Sequence, residues 1–153
     1  MSQARSNVQD LYRELILDHS RSPRHFGRLD DATHLADGIN PLCGDKLRLY
    51  LRVDGGRIES SSFEGSGCAI SVASASLMTD AVTGQPVERA EAFFQEITER
   101  LAHGASAPLS QELGKLTALD GVRGYPARVK CATLAWHTLQ QALQQREGEA
   151  KTE

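Results

Sequence analysis

Four side chains in this sequence have the chemistry of a metal centre. The stretch Asn40-Pro41-Leu42-Cys43-Gly44-Asp45 puts a thiol and a carboxylate two residues apart. Gly44 lets the backbone turn sharply between them, and Pro41 stiffens the approach. Cys43 and Asp45 can therefore address one point from a tight loop. The two other cysteines are Cys68, in Gly65-Ser66-Gly67-Cys68-Ala69, and Cys131, in Arg128-Val129-Lys130-Cys131. Three thiolates and a carboxylate are the ligand types of a tetrahedral zinc site. The spacing is not a double Cys-x-x-C signature, so spacing alone is a weak signal. On residue chemistry each cysteine has a second reading as a small buried hydrophobe. Cys68 and Cys131 fall at or near the starts of expected helices, where the helix dipole favours a thiolate.

Composition bounds the protein that surrounds these residues. At 153 residues, 40% hydrophobic and 24% charged, the chain has the length and make-up of a single globular domain over 1–153. Its core spans about 7–145, and residues 146–153 form a polar tail. A net charge of -3 gives no broad electrostatic reason to bind nucleic acid or an anionic membrane. No apolar run approaches the roughly 20 residues of a membrane helix. The polar N-terminus lacks the apolar core of an export signal, so a cytoplasmic protein is expected. An odd number of cysteines without an export signal argues for thiol or metal chemistry over a disulfide framework.

The elements that must position the four residues follow from periodicity. Residues 6–20 read as an amphipathic helix, with Ser6 and Gln9 as a capping box and Val8, Leu11, Tyr12, Leu15 and Ile16 on one face. This helix is expected to pack apart from the main layer. Pro23 and Gly27 end it within the basic segment Arg21–Arg28, which is either a solvated loop or a docking surface for an acidic partner. Strands are expected over 33–40, 46–53 and 57–64. In the second, Leu47, Leu49, Leu51 and Val53 alternate with Lys46, Arg48, Tyr50 and Arg52. Asp54-Gly55-Gly56 is a hairpin turn. Ile58 and Phe63 fall on opposite parities, which a bulge near Ser60–Ser62 would reconcile. A helix over 69–83 turns Ile70, Ala73, Ser74, Leu77 and Ala81 inward, and Gly84 fits its C-terminal cap.

A helix over 87–103 follows, through Phe93, Phe94, Ile97 and Leu101, closed by Gly104. Residues 105–124 read as mixed, with a short helix near Ser110–Leu116 and loop at Gly121 and Gly124. Pro126 suits the first turn of a last helix carrying Cys131, Leu134, Ala135, Thr138, Leu139 and Ala142 at helical spacing. Beyond Gln144 the tail should fray. The fold class is α+β: a small three-stranded antiparallel sheet, helices packed on one face, and the metal site at one end. The histidines are read as solvated or packing residues, with His19 and His25 as candidate partner contacts and His137 in mid-helix.

The local sequences carry a family resemblance. Asn40 to Asp45, then Gly65 to Ser71 with Ala73-Ser74-Ala75-Ser76-Leu77-Met78, then Arg128 to Trp136 resemble the U-type iron–sulfur assembly family. That family includes IscU and the N-terminal domain of NifU. Leu11-Tyr12, Asp18-His19, Ser22-Pro23-Arg24 and Phe26-Gly27 resemble its N-terminal segment. The resemblance covers roughly 7–145, and three motifs in order make it specific. It is finest for the SufU branch. IscU-like scaffolds carry a histidine where Lys130 stands, and a Leu-Pro-Pro-Val-Lys motif that this sequence lacks. Residues 104–124 look like the insertion of SufU-like proteins.

The resemblance implies a zinc-dependent sulfurtransferase. Such a protein takes persulfide sulfur from a pyridoxal-phosphate cysteine desulfurase of the SufS type and passes it to the iron–sulfur assembly machinery. It points to Cys43 as the sulfur acceptor, and a loop position makes movement of that ligand least costly. Zinc with three thiolates and Asp45 leaves the centre net negative, and Arg128 or Lys130 is placed by sequence to offset it; each also reads as a solvated helix-start charge. Two other readings share the same residues. One is a scaffold that takes up iron and assembles a transient [2Fe–2S] cluster. The other is a structural zinc domain.

Overall fold

In the computed structural model, residues 13–103, 110–144 and 149–151 are described. The expected capping box at Ser6 and Gln9, the apolar positions Val8, Leu11 and Tyr12, and Gly104 lie outside them. The alternation of leucines with charged residues builds β2 (Asp45–Asp54), the middle strand of an antiparallel trio. It lies between β1 (His34–Asn40) and β3 (Arg57–Ser66). Leu47, Leu49 and Leu51 are buried under the helices, while Lys46, Arg48 and Arg52 face water. Tyr50 shares the parity of these basic residues yet is buried, its hydroxyl donating to the Glu64 carboxylate. The β2–β3 turn has Gly55 at φ 60° and Gly56 at φ 77°, the left-handed conformations that a two-residue hairpin demands.

The parity conflict in β3 is resolved one residue earlier than expected. Arg52 pairs with Ser60 and Val53 with Ile58, so Glu59 is the extra residue of a bulge. Ile58 and Phe63 thereby both point into the core. The outer edge of β3 is covered by the 25–27 segment: Phe63 N donates to His25 O, and Gly27 N donates to Phe63 O. The Phe26 and Phe63 rings meet edge to face at 5.2 Å.

Helices cover one face of this sheet. α1, helical over 13–21, is not set apart, since Ile16 joins the common core. α2 (Ala69–Val82) is buried on nearly every side, where a single inner face was expected. Ser71, Ala73, Ser74, Ala75 and Ser76 are small enough to let sheet and helices approach it together, and Ser74 Oγ donates to Ala132 O of the last helix at 2.5 Å. α3 (Val87–His103) buries Ala90, Phe93, Ile97 and Leu101. α4 (Pro126–Leu143) begins with its proline and lies across β1 and β2. Its approach requires Gly38, where a Cβ would collide with Thr138 Oγ1.

Two regions depart from expectation. Gln111–Val122 is a 3₁₀ helix that runs through Gly121, where loop was expected. Leu113, Leu116, Leu119 and Val122 recur every third residue and are all buried; a period of three is that of the 3₁₀ helix. Within the tail expected to fray, Glu149–Lys151 forms β4, parallel to β1 through Asp37, Gly38 and Ile39. The free edge of β1 offers unpaired amides and carbonyls there, and β4 satisfies them. Among the described residues no helix is long and apolar enough to cross a membrane.

Candidate metal centre

One end of the sheet gathers the four candidate ligands from three places in the fold. β1 ends at Asn40, and the turn 41–44 follows, with Gly44 at φ 73°. The amides of Cys43 and Gly44 both donate to Asn40 O, at 3.2 and 2.9 Å. Cys43 is thus exposed on a short hydrogen-bonded turn. Asp45 opens β2 on the inward parity of Leu47 and is fully buried. Its Oδ1 accepts from the amide of Cys68 at 2.9 Å, and its Oδ2 from Asn40 Nδ2 at 3.3 Å. Gly67 makes the first contact possible, since a Cβ there would strike Asp45 Oδ1.

Cys68 is the N-cap of α2, its Sγ accepting from Ser71 N at 3.4 Å. Sulfur here takes the place usually filled by a serine or aspartate oxygen. Cys131 lies in the second turn of α4 and is fully buried. Its thiol donates to Cys43 Sγ at 3.4 Å and receives a hydrogen bond from Asn40 Nδ2 at 3.6 Å. Burial, and then hydrogen bonding to Cys43, Asp45 and Cys68, push the Cys131 thiol well above the usual cysteine range. A bound cation reverses such a preference, because it favours the thiolate outright.

The ligand atoms of Cys43, Asp45 and Cys131 lie within 4.8 Å of one another. Cys68 falls outside this tightest group, tied to it through its amide on Asp45 and its interaction with the Cys131 thiol. Cys43, Asp45 and Cys131 fit one ion. Sulfurs sharing a tetrahedral centre at about 2.3 Å stand about 3.8 Å apart, so the Cys43–Cys131 pair need open only a few tenths of an ångström. The donors are also the soft thiolates and single carboxylate that zinc accepts.

Lys130 is half-buried and Arg128 exposed, and neither makes an ion pair among the described residues. His19 is not available to a partner: it is buried, with Nδ1 2.7 Å from Ser76 Oγ. His25 sits 3.5 Å from Asp80, and His137 packs edge-on against Phe94. In the basic segment, Arg24 pairs with Asp18 at 2.7 Å and Arg28 with Asp30 at 3.1 Å, so part of its charge is answered within the chain. Asn40 was visible in the sequence only as part of the cysteine loop. Its position immediately inside a turn between two inward-facing strand residues is the signal of a buried amide.

An antiparallel sheet covered by helices on one face, with thiols and a carboxylate converging at one end, defines a class of small α+β domains with a sulfur-rich ligand site. The model of the NifU-like N terminal domain matches residues 11–132, and the chain belongs to that family. It is 43% identical over 143 residues to the zinc-dependent sulfurtransferase SufU of Bacillus subtilis, covering 94% of this chain and 96% of the relative. It is also 43% identical over 133 residues to the iron–sulfur cluster assembly scaffold protein IscU of Thermotoga maritima, covering 87% and 92%. Among solved structures, a candidate iron–sulfur cluster assembly scaffold protein for the SUF system of Fervidobacterium islandicum superimposes with a TM-score of 0.78 at 34% identity, over 85% of this chain and 94% of that one.

Proposed function

We propose that this chain is a zinc-dependent sulfurtransferase of iron–sulfur cluster assembly, with Cys43, Asp45, Cys68 and Cys131 as ligands and Cys43 as the sulfur acceptor. The observation that carries the reading is an asymmetry. Cys43 is exposed on a turn held by two amide hydrogen bonds, while Asp45 and Cys131 are fully buried in a strand and a helix. One sulfur can leave and return while the rest of the set stays fixed. Purely structural zinc sites hold all their ligands closed. The activity for which the Bacillus subtilis relative is named supports the same reading.

Zinc, when bound, would keep the sulfurs deprotonated at neutral pH and has no redox chemistry with which to oxidise them. The partner is a cysteine desulfurase of the SufS type in the cytoplasm, carrying a persulfide on its own cysteine. The Cys43 thiolate attacks the terminal sulfur of that persulfide. A sulfur–sulfur bond forms at Cys43, the partner's sulfur–sulfur bond breaks, and the partner's cysteine leaves as a thiolate. The Cys43 thiolate supplies the electron pair of the new bond and the leaving thiolate takes the pair of the broken one, so no external oxidant or reductant is needed. Docking makes the attack effectively unimolecular. Lys130 and Arg128 offset the negative charge of the centre and of the approaching persulfide. The assembly machinery that builds the cluster then takes the sulfur from Cys43.

The name of the Thermotoga maritima relative supports a second reading, in which a [2Fe–2S] cluster assembles on the same thiols. Metal analysis and an ultraviolet–visible spectrum of freshly purified protein separate the two. Stoichiometric zinc and a colourless sample are expected. A brown, iron-containing sample with little zinc would turn the reading to the scaffold.

A further inference from the structure

Resting on the zinc reading above, we propose that Asn40 is the positioning residue of the metal centre, fixing the direction of two ligands and holding the turn of a third in place. The residue meets the centre three times. Its backbone oxygen receives the amides of Cys43 and Gly44, at 3.2 and 2.9 Å, and so shapes the turn that presents Cys43. Its side-chain Nδ2 donates to Asp45 Oδ2 at 3.3 Å and to Cys131 Sγ at 3.6 Å. It is fully buried, at the last position of β1 and directly across from Asp45 in the β1–β2 register.

The chemistry of its neighbours decides which way the amide faces. As ligands of a metal ion, the Asp45 carboxylate and the Cys131 sulfur are deprotonated and only accept hydrogen bonds. Turning the amide over would set its carbonyl oxygen against both. The nitrogen must therefore face the ligands, and the cost of that choice is visible: Asn40 Oδ1 is buried without a hydrogen-bond partner among the described residues. A side chain kept only for packing would not retain a buried, unanswered carbonyl when a leucine fills similar volume without one. An N–H donor on a thiolate and a carboxylate stabilises their charge and fixes their direction, as outer partners of metal ligands do. It also withdraws electron density from the Cys131 sulfur, which tunes how strongly that sulfur binds.

The test uses the full-length chain and two variants. Asn40→Ala removes the donor. Asn40→Asp keeps the size and replaces the donor with an acceptor. All retain the backbone oxygen of residue 40. Each is loaded with Co²⁺ as a spectroscopic probe, Zn²⁺ affinity is measured by chelator competition, and circular dichroism follows the fold. Wild type is expected to bind one ion. Both variants are expected to bind zinc about 10–100-fold more weakly and to move the sulfur-to-cobalt charge-transfer band to lower energy. An unshifted band overturns the proposal whether or not affinity falls, because a residue that only supports the fold would weaken binding without changing the sulfur's electrons. A shifted band with unchanged affinity overturns the claim that Asn40 holds the ligands. Failure of wild type to bind either ion would overturn the zinc reading itself, and this proposal with it.

Discussion

Cys68 has two structural duties besides the ligand role proposed for it, and they can be separated. Its sulfur caps α2 at Ser71 N and its amide braces Asp45. Serine is a preferred N-cap residue, so Cys68→Ser keeps the cap and the brace while removing the soft ligand. Zinc-free Cys68→Ser should melt within a degree or two of zinc-free wild type. Added zinc should raise the melting temperature of wild type and leave the variant almost unmoved, since a ligand stabilises only the state that binds it. An equal rise in both would show that Cys68 is not a ligand. A carboxylate is a harder donor than a thiolate, so with Asp45 in its proposed ligand role Asp45→Ala should retain zinc but release it to a chelator several-fold faster; complete loss on purification, as in a cysteine variant, would contradict this. The thiols and carboxylate were legible from the sequence because their chemistry is rare and their loops are marked by glycine and proline. Asn40 was not, because an amide has no chemistry of its own until its neighbours are known.

Among the elements, the contact of α4 with β1 is the tightest to engineer. A Cβ at Gly38 would overlap Thr138 Oγ1 and press on Leu134 Cδ1. Gly38→Ala should cost about 1–3 kcal/mol by overpacking. Thr138→Ala removes the obstructing oxygen, whose hydrogen bond to Leu134 O stays within its own helix, and should restore much of that loss in the double variant. Urea unfolding of the four proteins measures the coupling; simple additivity would mean that the two positions do not meet. The strands and α3 were readable because their apolar residues repeat at periods of two and 3.6. The bulge was readable as a parity conflict between Ile58 and Phe63, but not its position, since Glu59 and its serine neighbours have no strong preference for either face. Only the first part of the 3₁₀ segment was legible, as a short helix near Ser110–Leu116, because Gly121 and Gly124 outweighed the every-third-residue pattern of Leu113, Leu116, Leu119 and Val122. The near-complete burial of α2 reflects tertiary packing, which no single-helix pattern encodes. β4 depends on an open strand edge far away in sequence.

At the scale of the whole molecule, burial ties stability to pH. It holds the imidazoles of His19 and His137 below their ordinary value of 6.5. His19, which joins α1 to α2 through Ser76, also feels Arg24 and Lys115 opposing its charge and Asp18 and Asp80 favouring it. A base with a lowered folded pKa takes up protons more readily when unfolded. Its contribution is therefore complete above about pH 6.5 and declines as pH falls through the folded value. Zinc-free protein should melt several degrees lower at pH 5.5 than at pH 7.5, and His19→Asn should reduce that difference; identical pH dependence in the variant would remove His19 from the account. In function, the molecule is proposed to hold its ligands at one end of a rigid sheet and to expose a single mobile sulfur to a partner. The most direct measurement mixes wild type, Cys43→Ser and zinc-stripped protein with a cysteine desulfurase and cysteine, follows turnover, and maps added sulfur by mass. Wild type should accelerate the desulfurase and gain about 32 Da, one sulfur atom, on Cys43, while the other two do neither. Sulfur appearing on Cys131 with Cys43→Ser fully active, or no acceleration by wild type, would contradict it.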